Sequence, residues 1–188
     1  MAVEPVAGMA SVLRAALPHV EVREGTAERL PVADGVARAV AVGQAFHWFD
    51  GPAALAEMHR VLEPGGTLAV LYNERDTNEP WVAAVDAVFQ PWRGDAPSQR
   101  RGKWRAAFAD TSLFTALERE TFANPQRLTP AEMVARVRSI SFVGALPDAR
   151  QAEVLAAVSD VLSSHPDTAG RDELVLPHTT NLYWCRRI

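Results

Sequence analysis

The densest group of chemically active side chains lies at residues 44–50, in the run Gln-Ala-Phe-His-Trp-Phe-Asp. This run directly follows the apolar segment 36–42, whose length and composition predict a buried parallel strand. The imidazole of His47 is the candidate general base, because histidine titrates near neutral pH. A histidine that only forms a hydrogen bond in the wall of a site is the open alternative. Three aromatic rings of the run are suited to enclose a small-molecule pocket and exclude water: Phe46, Trp48 and Phe49.

Glu4 is a second candidate, because it follows a short apolar segment at the start of the sequence. A carboxylate at the tip of a parallel strand can accept hydrogen bonds from both hydroxyls of a ribose. The loop at 25–31 adds Thr26 and Ala27, whose hydroxyl and backbone groups could line an adenine pocket. A solvated acid and an ordinary loop are the alternatives that these residues leave open.

Several other chemistries find no support in the sequence. The five histidines do not show the spacing of a metal site, and a lone Cys185 allows neither an intramolecular disulfide nor a cysteine-based zinc cluster. A net charge of -4 argues against a dedicated nucleic-acid-binding protein. No apolar run approaches the roughly 20 residues of a membrane-spanning helix. We therefore expect a cytoplasmic protein that binds no metal, nucleic acid or membrane.

The elements that must position these residues alternate between strand and helix along 9–72. Strands are predicted at 19–24, 36–42 and 67–72, and a helix begins at Pro52. A further helix is predicted before Pro18, with one apolar face formed by Met9, Val12, Leu13, Ala16 and Leu17. Such alternation indicates a parallel sheet with crossover helices, in which ligands bind beyond the carboxyl ends of the strands.

The second half of the sequence is less regular. Helices are predicted at 79–92, after a capping box at Thr129, and at 148–163. Strands are predicted within 113–122 and 174–186. We assign residues 1–188 to one domain, with a cofactor-binding half at 1–74 and a lid and C-terminal substrate region at 75–188.

Four segments in order carry a family resemblance: Val-Glu-Pro at 3–5, G-x-A-E-x-L-P at 25–31, the run 44–50, and R-V-L-x-P-G-G at 60–66. Together they resemble the class I S-adenosylmethionine-dependent methyltransferases of the type-11 branch. The resemblance covers about residues 2–73. It implies a Rossmann-like α/β three-layer sandwich, with a mostly parallel seven-stranded sheet and an antiparallel C-terminal strand.

The resemblance also implies roles for individual residues. The cofactor would be S-adenosyl-L-methionine, with Glu4 at the ribose hydroxyls. Thr26 with Ala27 would lie at the adenine edge, and Gln44 with Ala45 beside the methionine moiety. His47 would be the catalytic base if the small-molecule acceptor needs one. The acceptor pocket would be shaped by Phe46, Trp48, Phe49 and Trp81.

The sequence departs from the family at its start, because the family has a strand and a glycine-rich loop before the strand of Glu4. We therefore expect an N-terminally truncated chain. One hypothesis is a methyltransferase fragment whose activity the truncation puts in question. The alternative is a degenerate, non-catalytic relative that acts by binding or oligomerisation, and an oligomer is possible if the truncated chain is real. A nicotinamide-dependent oxidoreductase ranks below both, because no Tyr-x-x-x-Lys pair is present.

Overall fold

The computed structural model describes the backbone of residues 1–188 and every side chain except that of Arg101. Its contacts divide the chain into two compact units, each made of separate stretches of sequence. The first unit comprises Met1–Tyr72, Ser98–Glu120 and Leu182–Ile188. The second comprises Asn73–Pro97 and Thr121–Asn181. The assignment of the whole chain to a single domain stays a prediction.

Strands and helices alternate through the first part of the chain, as the sequence predicts. A proline near the first turn and the Asp50 side chain, which accepts a hydrogen bond from the Ala53 N–H, start the second helix. The elements in order are β1 (Ala2–Val3), α1 (Ala7–Ala16), β2 (Val22–Arg23), β3 (Ala37–Gly43), a 3-10 turn (Phe46–Trp48), α2 (Gly51–Val61) and β4 (Leu62–Arg75).

The rest of the chain is mainly helical and ends in strands. The predicted helix at 79–92 ends at Phe89 and continues as a 3-10 turn, and the predicted strand at 174–186 divides at Pro177. Thr129 and Glu132 form the predicted capping box. The elements are α3 (Pro80–Phe89), 3-10 turns (Gln90–Arg93, Gln99–Arg101 and Lys103–Arg105), α4 (Ala106–Ala109), β5 (Glu118–Ala123), β6 (Gln126–Leu128), α5 (Pro130–Arg138), α6 (Ser141–Gly144), α7 (Asp148–Ser164), β7 (Leu174–Leu176) and β8 (His178–Arg186).

The strands form three separate sheets in the described residues. β1 pairs in parallel with β2, four strands follow the order β3-β4-β8-β5, and β6 pairs antiparallel with β7. β3 and β4 are parallel, so their carboxyl ends reach the same edge. β8 runs antiparallel to β4, since the Tyr183 ring neighbours that of Tyr72 while the Arg187 N–H donates to the Gly66 carbonyl. A mixed α/β architecture results, in which no described strand joins β1 to β3.

The core of the first unit lies between α2 and the β3–β4 part of the sheet. Met58 and Leu68 are buried there, and the aromatic residues of the 3-10 turn and of β4 extend the same cluster. The second unit has its own core between α3, α5 and α7, and Trp81 belongs to it. The two cores account for the apolar periodicity of all the longer helices except α1.

The predicted apolar face of α1 is not buried. Met9 and Val12 are 60% and 70% exposed, and Leu17 is also exposed, whereas Ala10 is the buried residue of this helix. The predicted helix is therefore present, but its apolar face is largely exposed. Periodicity shows which residues share a face of a helix, but a neighbouring element must be large enough to cover that face. β1 and β2 are only two residues long each, so they offer little surface to cover α1.

Candidate active site

The backbone turns sharply at Gln44, directly after β3. Gln44 has a φ of 57°, the left-handed conformation, and no other non-glycine residue has a positive φ in the part of the chain that the structure describes. Its N–H donates a 2.9 Å hydrogen bond to the Leu71 carbonyl of β4. Such a conformation is costly for a residue with a Cβ and is found most often at functional sites. It turns the chain at the carboxyl edge of the β3–β4 pair, where parallel sheets bind ligands.

His47 is positioned by Tyr72 at the end of the neighbouring strand. The His47 N–H donates to the Tyr72 hydroxyl at 3.1 Å, and the Nδ1 atom of the same histidine lies 3.4 Å from that hydroxyl. Tyr72 is 1% exposed, and burial raises the pKa of its hydroxyl well above the usual range. The phenol therefore stays protonated near neutral pH and fixes both the backbone and the ring of His47.

The aromatic side chains of the turn point in different directions. Phe46 is buried and packs against Phe49 and the ring of Phe108, with centroids 5.5 and 4.9 Å apart. Trp48 is 52% exposed, and its ring lies 5.5 Å from the His47 ring. Phe46 thus supports the turn from the core, whereas His47 and Trp48 present polar and aromatic surface.

A second group of aromatic side chains packs against Tyr72. The Trp104 ring lies 5.2 Å from the Tyr72 ring and 5.0 Å from the Tyr183 ring. Arg105 donates a hydrogen bond to the Tyr183 hydroxyl at 2.5 Å, and its guanidinium lies 5.0 Å from the centroid of that ring. Ring packing and the cation–π contact of Arg105 therefore hold these aromatic side chains in place.

The loop at 25–31 is tied to the start of α2. The Glu28 carboxylate accepts a 3.1 Å hydrogen bond from the Asp50 N–H, and Ala27 packs against the same core as Ala45. Thr26 itself is exposed and closes a small turn with Arg29. The structure therefore brings the predicted adenine-edge segment and the segment after β3 onto one side of the first core.

Glu4 lies at the tip of β1, beside this loop. Its N–H donates to the Arg23 carbonyl, and one carboxylate oxygen accepts a 2.9 Å hydrogen bond from the Val6 N–H. A Cβ placed on Gly25 would lie 3.0 Å from Cγ1 of Val3, so the tip of β1 and the loop after β2 are in close contact. The Glu4 side chain is partly buried and keeps its second oxygen available.

Arg60, in the motif R-V-L-x-P-G-G, has a structural role. Its guanidinium pairs with Asp34 and Glu57 and donates to the carbonyls of Leu30 and Val32. The hydrogen bond from Arg60 holds the pKa of the Glu57 carboxyl below its usual range. This network fixes the loop that carries the adenine-edge residues.

The paired glycines of that motif lie near the start of β4, where its pairing with β3 shifts in register. Gly65 has a φ of 75°, and a Cβ on Gly66 would lie 2.8 Å from the Glu63 carbonyl oxygen. These residues lie at the opposite edge of the sheet from Gln44 and accommodate this irregularity of β4.

The described residues contain no group of histidine, cysteine or acidic side chains that could hold a metal ion. Cys185 is buried in the first core, and burial raises the pKa of its thiol to about 11, so the thiol is not activated as a nucleophile. Within the described part of the chain, no helix has the length and apolar character required to cross a membrane.

Comparison with known proteins decides the family. Residues 1–70 match the family profile described as "Methyltransferase domain". The chain is 32% identical over 180 residues to an uncharacterised methyltransferase-like protein of Schizosaccharomyces pombe, an alignment that covers 96% of this chain and 70% of the relative. It is 34% identical over 180 residues to an uncharacterised methyltransferase of Mycobacterium bovis, covering 96% of this chain and 71% of the relative. The chain belongs to the class I S-adenosylmethionine-dependent methyltransferase family.

Solved structures agree with the methyltransferase fold. A protein of Anaeromyxobacter dehalogenans, assigned as a type II methyltransferase, superimposes with a TM-score of 0.66 at 23% identity. The match covers 98% of this chain and 78% of that one. The Rossmann-like α/β architecture expected from the sequence is confirmed by this likeness.

Among the predicted site residues of this methyltransferase, those of the first unit surround the carboxyl edges of β1 and β3. Trp81 is 6% exposed within the core of the second unit, so it contributes packing there. Sequence reasoning did not find Tyr72 or Arg105. A tyrosine that ends the strand next to a candidate base was the available signal for Tyr72, whereas no local pattern marks Arg105.

Proposed function

We propose that this chain transfers a methyl group from S-adenosylmethionine to a small-molecule acceptor. The observation that carries the proposal is the left-handed backbone of Gln44 at the carboxyl end of β3. Strained backbone conformations cluster at functional sites. The carboxyl ends of parallel strands, where Gln44 lies, are the edge at which such sheets bind ligands. Family membership supports the reaction class, and the backbone strain at Gln44 supports this edge of the sheet as the site.

The residues at this edge fit the chemistry of the cofactor. Glu4 offers a carboxylate oxygen to a ribose diol, because one oxygen is engaged by the Val6 N–H and the other remains available. Thr26 and Ala27 offer a hydroxyl and backbone groups to the adenine ring. Gln44 and Ala45 would contact the methionine moiety.

When bound, S-adenosylmethionine supplies an electrophilic methyl group on a positively charged sulfur. The protein contributes the orientation of the acceptor and the exclusion of water, which account for most of the rate in a simple displacement. Trp48 and Phe49 line the acceptor side, and Phe46 supports them from the core. His47 accepts a proton where the acceptor must lose one, and Tyr72 holds the imidazole in position.

Cofactor binding tests this proposal directly. Calorimetric titration of the 188-residue protein with S-adenosylhomocysteine is expected to give a dissociation constant of about micromolar order. Glu4→Gln should weaken binding about 10-fold or more, because a hydrogen bond to a charged group contributes about 1.5–3 kcal/mol.

Glu24→Gln provides the matched control, since Glu24 is an exposed acid beside the same loop. Its affinity should equal that of the wild type. Absence of binding by the wild-type protein would refute the proposal, and equal affinities for both variants would remove Glu4 from the cofactor site.

A further inference from the structure

The second unit contains a cluster of charged side chains that the proposed reaction does not use. Asp86 on α3 is 8% exposed, and its two carboxylate oxygens accept hydrogen bonds from Arg75 at 2.8 Å and from Gln90 at 2.9 Å. The Arg75 guanidinium also lies 5.2 Å from the Phe89 ring centroid. Arg75 and Asp86 therefore form a partly buried ion pair.

Arg136 on α5 adds a positive charge to this cluster. Its Nη2 atom lies 3.1 Å from Nε2 of His178, and its buried Nε atom has no hydrogen-bond partner among the described residues. No carboxylate of the described side chains forms an ion pair with Arg136. Its hydrogen-bonding partner in the protein is therefore an imidazole.

That imidazole is neutral. An arginine can only donate, so Nε2 of His178 must accept, which places the ring proton on Nδ1. His178 is 4% exposed, and burial, reinforced by Arg136 and Arg75, lowers its pKa to about 4. His178 thus adds no positive charge at neutral pH, but it does nothing to neutralise Arg136.

The charge balance of the cluster calls for an anion. Burial and repulsion from Arg75 lower the pKa of Arg136, which shows that its charge is held at a cost. A partly buried cation without a counter-charge is unfavourable for the isolated protein, and such side chains are concentrated at binding sites. The planar guanidinium fork of Arg136 matches the geometry of a carboxylate, whose negative charge would balance it.

We propose that Arg136, with Arg75 and His178 beside it, binds the carboxylate group of a small molecule. The anion site itself belongs to the second unit and can be tested without cofactor.

Succinate is the probe, with succinamide as its uncharged counterpart and inorganic phosphate as the competing anion, all at constant ionic strength. We expect succinate, but not succinamide, to raise the thermal unfolding midpoint of the wild-type protein in a saturable manner. Arg136→Gln should weaken the apparent affinity at least about 10-fold. Arg138→Gln, on an exposed position of the same helix, is the matched control and should behave as the wild type.

Three outcomes would overturn the carboxylate site. These are an equal response of Arg136→Gln and the wild type, an equal response to succinate and succinamide, and a stronger response to phosphate than to succinate. The S-adenosylhomocysteine titration is independent of all three, so loss of cofactor binding and loss of anion binding can be told apart.

A second variant separates binding from folding. If Arg136 is retained for a ligand, Arg136→Met should leave the urea unfolding midpoint of the free protein unchanged or higher, because it removes an unbalanced charge. A lower midpoint for this variant, together with an unchanged succinate response, would show that Arg136 serves the fold and not a ligand.

Discussion

Tyr72 and His47 show how a candidate base depends on a residue outside its own segment. The tyrosine hydroxyl meets both the backbone N–H and the Nδ1 atom of His47, and burial keeps that hydroxyl protonated. Tyr72 is therefore a positioning residue. The Tyr72 ring in turn packs against the rings of Trp104 and Tyr183. The position of the His47 imidazole therefore depends on aromatic residues that it does not itself contact.

At this scale we predict that His47→Gln lowers kcat by about 10²-fold or more when the acceptor must lose a proton, with nearly unchanged affinity for S-adenosylhomocysteine. Tyr72→Phe keeps the ring but loses the hydroxyl, so it should lower kcat less and shift the pH profile of kcat. Steady-state kinetics over pH 5–9 with parallel cofactor titrations measure both effects. A matching loss of cofactor affinity in His47→Gln would show that His47 is structural.

The two helices that follow β1 and β3 differ in what covers them. α2 buries Ala54, Leu55 and Met58 in the first core, and its first turn is capped by Asp50. α1 has a comparable amphipathic pattern, but its apolar residues are largely exposed and no side chain caps its start. Similar sequence periods therefore contribute very differently to the stability of the two helices.

We predict that Met58→Ala lowers the free energy of unfolding by about 2–5 kcal/mol, because it leaves a cavity in a packed core. Val12→Ala should change it by less than about 0.5 kcal/mol, because Val12 is 70% exposed. Urea denaturation followed by far-ultraviolet circular dichroism measures both values. A loss of about 2 kcal/mol or more in Val12→Ala would mean that another surface covers α1 in solution.

Across the whole molecule, stabilising contacts are unevenly distributed. The first core is built on α2, β3, β4 and the aromatic residues around them, and the second on α3, α5 and α7. By contrast, β1 and β2 contribute two residues each and form a sheet of their own. Regions with few buried apolar contacts open most readily in the native state.

Hydrogen–deuterium exchange should show this distribution. We expect amides of residues 1–24 to exchange at least about 100-fold faster than those of α2 and of β4 between Leu68 and Tyr72, because local opening there exposes little apolar surface. Peptide-level mass spectrometry resolves these segments. Equal protection in both would contradict the uneven distribution. Added S-adenosylhomocysteine should slow exchange in 1–24 if Glu4 contacts the ligand.

The sequence by itself determined the order of the elements and the class of the fold. The alternation of β3, α2 and β4 and the capping box at Thr129 follow from local rules of period and backbone geometry. The motif at 60–66 also marked the family, and its arginine forms ion pairs with Asp34 and Glu57.

Only the tertiary structure decided which of the candidate residues meet and which are buried. It placed Tyr72 against His47, put Phe46 and Trp81 inside cores, left α1 uncovered, and brought Arg136 to His178. These outcomes depend on contacts between residues far apart in sequence. Local patterns report the energetics of a segment, whereas burial, hydrogen-bond partners and charge balance depend on which other segments fold against it.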